Sequence, residues 1–237
     1  MNRGVAVIRF ALLGLVGGVL PVSAHELEVT WERDATSNYA SATILLAHGL
    51  GGPHALVAEV DASHLFGRFF DEEGETHVSS PGGAVMLGYR LEIGGARLTL
   101  ASGCEARRTW ERPRGGLATR DDEFGVTGML EAVLDLGGFA ALDADATASE
   151  IDHYRWAGAD LIRRLLSMGP LAVSAGPEVA YEESFESRST QWGAMLVLES
   201  LGSGQALELR AGATRMSNPD GSVERPPYLG AGLSKEW

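Results

Sequence analysis

The strongest constraint on this chain is the placement of its turns. Five short glycine-containing breaks recur at near-regular spacing, at 49–53, Gly94-Gly95, Gly137-Gly138, 168–170 and 202–204. Between them lie more polar breaks, several of them long, at 71–76, 111–123, 183–189 and 217–227. Short and long connections alternate in this way when tight turns gather at one end of a transmembrane β-barrel and longer loops at the other. The pattern predicts an all-β chain, folded as an antiparallel up-and-down barrel that spans a bilayer.

The N-terminus fits export. Arg3 and Arg9 supply a positive start, residues 10–20 form a short apolar run, and Val22-Ser23-Ala24 offers small residues for cleavage. Residues 1–24 are expected to be a signal peptide and 25–237 the mature barrel, in the bacterial outer membrane. The leader would remove two of the 19 basic residues and none of the 32 acidic ones, leaving a net charge of −15. So acidic a chain is a poor match for the phosphate backbone of nucleic acid. One cysteine, Cys104, cannot form an internal disulfide.

Strands are expected at 26–32, 39–48, 54–66, 84–93, 97–110, 125–136, 139–148, 152–162, 171–182, 191–200, 206–216 and 228–237. Most match the roughly 9–11 residues that a tilted strand needs to cross a bilayer. With both termini on the periplasmic side the number is even. Twelve strands need five periplasmic turns, which the five glycine breaks supply; ten would follow if the first segment were only a leader and another folded inward. The segment 160–167 also fits helical spacing, through Leu161, Ile162, Leu165 and Leu166, but is taken as the end of a strand.

Side-chain alternation carries the same message. Leu56, Ala58, Val60, Ala62 and Phe66 share one face of their strand, and Glu59, Asp61 and Ser63 the other. Leu207, Leu209, Ala211 and Ala213 oppose Glu208 and Arg210 in the same manner. In a soluble sandwich the apolar set points inward; the leader, the loop asymmetry and the closing strand ending on Trp237 favour the reverse. Outer-membrane lipid is then the partner of the apolar face. Trp31, Trp110, Trp156, Trp192 and Trp237 lie near strand ends and are expected in the interfacial girdles, where Tyr39, Tyr154, Tyr181 and Tyr228 are candidates to join them.

The opposite face assembles the lumen. Glu59, Asp61, Arg90, Arg97, Arg107, Glu131, Asp135, Asp143, Asp145, Glu178, Glu208 and Arg210 are expected to line it. There they pair with one another or stay hydrated. A barrel of this size falls between those filled by side chains and those that hold an open pore. Nothing marks a catalytic centre, metal site or cofactor site. No H-E-x-x-H pattern and no phosphate-binding glycine loop occur. His153, beside Ser149, Glu150 and Asp152, is the corner where a surface hydrolase would be sought, without a local signature for a nucleophile. The pair Asp143 and Asp145 reads as hydrated wall rather than a glycosidase dyad.

A set of short motifs adds a resemblance. Gly88-Tyr89-Arg90 in one strand, Tyr154 later, then Gly176-Pro177-Glu178-Val179 and Gln191-Trp192-Gly193 resemble, in order and spacing, the cellulose biosynthesis protein BcsS family of Alphaproteobacteria. The resemblance implies a non-enzymatic outer-membrane accessory of cellulose production or export. Its implied partners are the cellulose synthase and export machinery or the glucan chain itself. A generic small porin or surface-binding barrel is the alternative. The sequence read as inward-facing holds few aromatics, which favours a scaffold over a conduit.

Overall fold

The computed structural model describes residues 24–33, 37–71, 74–137, 139–184, 187–217 and 221–236. The expected leader, apart from Ala24, and Trp237 lie outside the described residues. Thirteen strands occur among the described residues: β1 (Ala24–Arg33), β2 (Ser37–Gly51), β3 (His54–Asp71), β4 (Gly74–Ile93), β5 (Ala96–Pro113), β6 (Thr119–Asp135), β7 (Ala140–Ser149), β8 (Arg155–Met168), β9 (Leu171–Glu183), β10 (Arg188–Ser200), β11 (Gln205–Ser217), β12 (Val223–Glu224) and β13 (Pro227–Glu236). From β1 to β11 each strand pairs antiparallel with the next, and β13 pairs with both β11 and β1. Twelve strands therefore close a ring, and β12 is a two-residue strand of the last loop paired with the end of β11. Closure leaves no open edge, which is what a sheet needs in lipid, where unpaired backbone groups find no water.

The glycine breaks do form the short turns at one end, and chemistry explains them. Ile93 pairs with Ala96, so Gly94 and Gly95 make a two-residue turn with φ of 57° and 87°. Positive φ at both positions defines the type I′ turn, whose twist matches that of a hairpin.

The polar breaks are shorter than expected, because much of their sequence is strand. β3 to β6 run 18, 20, 18 and 17 residues. Residues 74–82 and 119–123, outside the expected strands, continue β4 and β6 beyond the length that crosses a bilayer. Their alternation persists with polar side chains on both faces, a pattern water permits once the strands leave the membrane. The segment 160–167 is strand, as taken. A register shift between Arg164 and Leu166 inserts one residue there and breaks the strict alternation of the strand. The strand expected from residue 152 begins at Arg155, after a short 3-10 turn over Ile151–His153.

Ladder register fixes which side chains point where. On β3 to β6 the outward rows include Leu56–Tyr89–Leu100–Leu130, Ala58–Leu87–Ser102–Gly128 and Val60–Val85–Cys104–Val126. Leu87 is 69% exposed and Leu100 62%, although both sit mid-strand. Such exposure makes sense only if lipid is the solvent. At the loop end the outward face turns basic: Arg33, Arg68, Arg108, Arg112, Arg120, Arg155, Arg188 and Arg215 all have outward register. Glu75, Asp122 and Glu183 are the outward carboxylates among them.

This orientation predicts a depth-dependent penalty. Leu87→Arg, at the middle of the apolar band, is expected to cost about 2–4 kcal/mol, and Ser79→Arg, near the loop end, about 0–1 kcal/mol. Guanidinium unfolding in phospholipid vesicles measures both; equal penalties would reverse the assignment of the lipid face.

Candidate functional site: the barrel lumen

The inward rows climb across the strands. One runs Ala47–Val57–Gly88–Ala101–Met129–Thr147 from β2 to β7. With Leu45 and Met86 it forms an apolar cluster inside the barrel, so one wall is filled by side chains. The next row, Ala55–Arg90–Thr99–Glu131–Asp145–Gly158, is polar. A third runs Arg97–Val133–Asp143–Asp160–Glu178–Gly193–Gly212–Tyr228.

Two arginine-centred clusters hold this interior together. Arg90 is 4% exposed, its Nε donates to Thr99 Oγ1 at 3.1 Å, and its Nη2 lies 3.7 Å from Glu131 and 4.0 Å from Glu26. Arg97 Nη2 donates to the other oxygen of Glu131 at 2.8 Å. Around the ring, Arg210 Nη2 donates to Glu208 at 2.9 Å and its Nε lies 3.9 Å from Glu178. Glu178 also accepts from the Tyr228 hydroxyl. Tyr228 reaches it by lying over Gly193 and Gly212, where an added Cβ would collide with the tyrosine hydroxyl at the first and its ring at the second. Aromatic cover of bare glycines pins strand register in barrels.

Carboxylates outnumber these arginines. Asp143, Asp160 and Glu178 are direct cross-strand neighbours, an arrangement in which like charges oppose one another. Glu28 on β1 and Asp143 and Asp145 on β7 lie within repulsive range across the lumen. Asp61 accepts from Thr43 at 3.1 Å, and Glu59 is buried at 7% exposure.

All twelve expected lumen residues have inward register. Most sit within the wall, Asp135 stands exposed at the turn end, and Arg107 sits toward the loop end, 2.5 Å from Asp152. Glu26, Glu28 and Asp160 were missed. The signal was present, since Glu26, Glu28 and Glu32 alternate with Leu27, Val29 and Trp31.

The aromatics divide differently from expectation. Trp31, Trp110 and Trp192 face outward near the loop end, with Tyr181. Trp156 does not belong with them. It pairs with Thr147 and Glu182 on the inward face and lies across Gly158, beside Asp145. Tyr39, Tyr154 and Tyr228 also face inward, and Tyr154 lies within electrostatic range of Tyr39 and Glu32 on the opposing wall. Parity would have revealed this: Trp156 shares its face with Asp160, and Tyr228 alternates with Leu229. The lumen is therefore richer in aromatics than its sequence reading. Tyr89, facing outward at the turn end with its hydroxyl bonded to His54, was the interfacial aromatic overlooked.

At the hydrolase corner, the Ser149 hydroxyl donates to Glu105 and accepts from the Ile151 N–H at 2.9 Å. Its proton points to a carboxylate that already has Arg107 nearby. Asp152 and His153 hold positive φ of 55° and 49° in the 3-10 turn above it.

The arginine clusters predict coupled losses. Arg90→Ala is expected to lower unfolding stability by about 3 kcal/mol, because it strips the buried partner from Glu131 and Glu26. Arg90→Ala combined with Glu131→Ala should cost less than the sum of the two. Denaturant titration in vesicles measures the cycle; strict additivity would remove the pairing from the account.

No family model and no curated protein matches the chain. Solved structures do. The β domain of the Bordetella autotransporter BrkA superposes with a TM-score of 0.58 at 13% identity, over 91% of this chain and 100% of that one. The transport unit of the autotransporter AIDA-I from Escherichia coli gives 0.53 at 8% identity, over 94% and 93%. An outer-membrane channel from Pseudomonas putida F1 gives 0.51 at 16% identity, over 92% and 97%. At these identities the likeness is one of fold. Together with the apolar outer face and the charged interior, it makes this chain an outer-membrane β-barrel in architecture.

Proposed function

We propose that this barrel resides in the bacterial outer membrane after loss of its leader, has no catalytic role, and serves cellulose production or export. Its partners would be the glucan chain and the synthase or export machinery. The motif resemblance around Gly88-Tyr89-Arg90 and Gln191-Trp192-Gly193 first suggests it. The observation that carries it is the inner wall, where Tyr39 and Trp156 stand among carboxylates. A β-linked glucose ring offers an apolar C–H face to an aromatic ring and hydroxyl donors to carboxylates. Aromatic rings on that wall remove the main objection to contact between lumen and glucan, so we favour a glucan-facing accessory over a pure scaffold. Deletion of the gene is expected to lower alkali-insoluble glucan severalfold. Re-expression of the native chain should restore it, and Trp156→Ala with Tyr39→Ala should restore much less. Unchanged glucan output on deletion would sink the proposal.

The run Asp143, Asp160 and Glu178 favours a second reading, a small cation-preferring passage. Carboxylates that line a pore concentrate cations in it. On this reading, planar bilayers should show conductance with a reversal potential shifted toward the cation. Asp143→Asn with Asp160→Asn should reduce that shift. A silent bilayer, with the barrel shown to be inserted, would eliminate this reading.

A further inference from the structure

The chain carries a net charge of −13, yet the outward face at its loop end is basic. The segregation is sharpest on β3 to β6. The last apolar outward row there is Ala62–Gly83–Ala106–Phe124. Immediately beyond it comes Arg108 opposite Asp122, then the row Phe66–Ser79–Trp110–Arg120, then Arg68–His77–Arg112. Four arginines thus occupy three consecutive outward rungs directly above the lipid-facing band.

Among the described residues, two outward carboxylates, Glu75 and Asp122, stand against these four arginines. Asp122 accepts from Arg108 Nε at 2.5 Å and also from Arg120, and these two guanidinium groups hold its carboxyl down to about 2. It stays ionised and accepts hydrogen bonds from both arginines. Arg108 also lies 5.7 Å from the centre of the Trp110 ring. Glu75 lies 3.4 Å from Arg68. Arg112 makes no ion pair with any described residue.

We infer that this patch binds the phosphate-bearing headgroup of an outer-leaflet lipid. Position and chemistry both point to it. Loops of such barrels face outside, so rungs just past the apolar band lie at headgroup depth. Guanidinium groups are planar donors matched to phosphate oxygens. Trp110 and Phe66, between the arginine rows, suit the amphipathic boundary below a headgroup. Arg68 and Arg112 flank His77 two strand spacings apart, about 10 Å, enough to engage separate phosphates of one headgroup. The lipid commits its acyl chains to the apolar rows beneath, which free phosphate cannot do. The inference does not depend on the role in cellulose production.

The mature barrel, purified in zwitterionic detergent, is offered equal amounts of a diphosphorylated lipid A and phosphatidylcholine, and bound lipid is counted by native mass spectrometry. Preferential retention of the lipid A is expected. Arg68→Ser with Arg112→Ser should lower it about fivefold per arginine removed. Arg163→Ser, an outward arginine at the turn half of β8, should leave it unchanged, and both variants should keep the heat-shifted gel mobility of a folded barrel. Equal retention of the two lipids, or an equal loss with Arg163→Ser, would overturn the inference. Complete displacement by inorganic phosphate at the same phosphate concentration would overturn it as well, by showing a site for the free anion.

Discussion

The structure depends on one requirement: in hydrocarbon every backbone amide and carbonyl must find its partner within the protein. A sheet meets that requirement only by joining its first strand to its last, as β1 and β13 do over the pairs from Glu26–Glu236 to Arg33–Leu229. Everything else follows from closure. Side chains alternate between an outside that meets lipid and an inside that does not. Charges that a soluble protein would spread over its surface are gathered within the ring or lifted past its rim. Arg90 and Arg210 become necessary because carboxylates collected on the inner wall need counter-charge.

Charge is consequently sorted three ways. The inner wall is acidic with a few arginine anchors, the outer band is neutral, and the outward rim at the loop end is basic. The sorting uses no dedicated element; it arises from the parity of single residues along continuous strands. Arg107 and Arg108 show how sharp the partition is. Arg107 turns inward to meet Asp152, and its neighbour turns outward to meet Asp122.

The barrel was legible in the sequence because its signals are local. Turn glycines need positive φ and reveal themselves, and period-two alternation survives any error in strand ends. Lumen carboxylates such as Glu59, Asp143 and Glu208 were legible for the same reason. Two things were not. Polarity stood in for loop at residues 74–76, since a strand outside the membrane is polar on both faces and carries no hydrophobic signature. Position along the strand stood in for direction with Trp156 and Tyr228. An aromatic near a strand end suits an interface, but parity decides which side of the wall it serves, and these two are placed by the glycines beneath them.

Among the described residues, the ladder between β1 and β13 joins eight residue pairs, whereas β3 and β4 share eighteen. Among the described residues three other ladders of the ring, β6–β7, β7–β8 and β11–β13, have nine pairs each, and the longest stands off to one side. The rim is therefore uneven in height, tall where β3 to β6 rise past the membrane and low where the two ends of the chain meet.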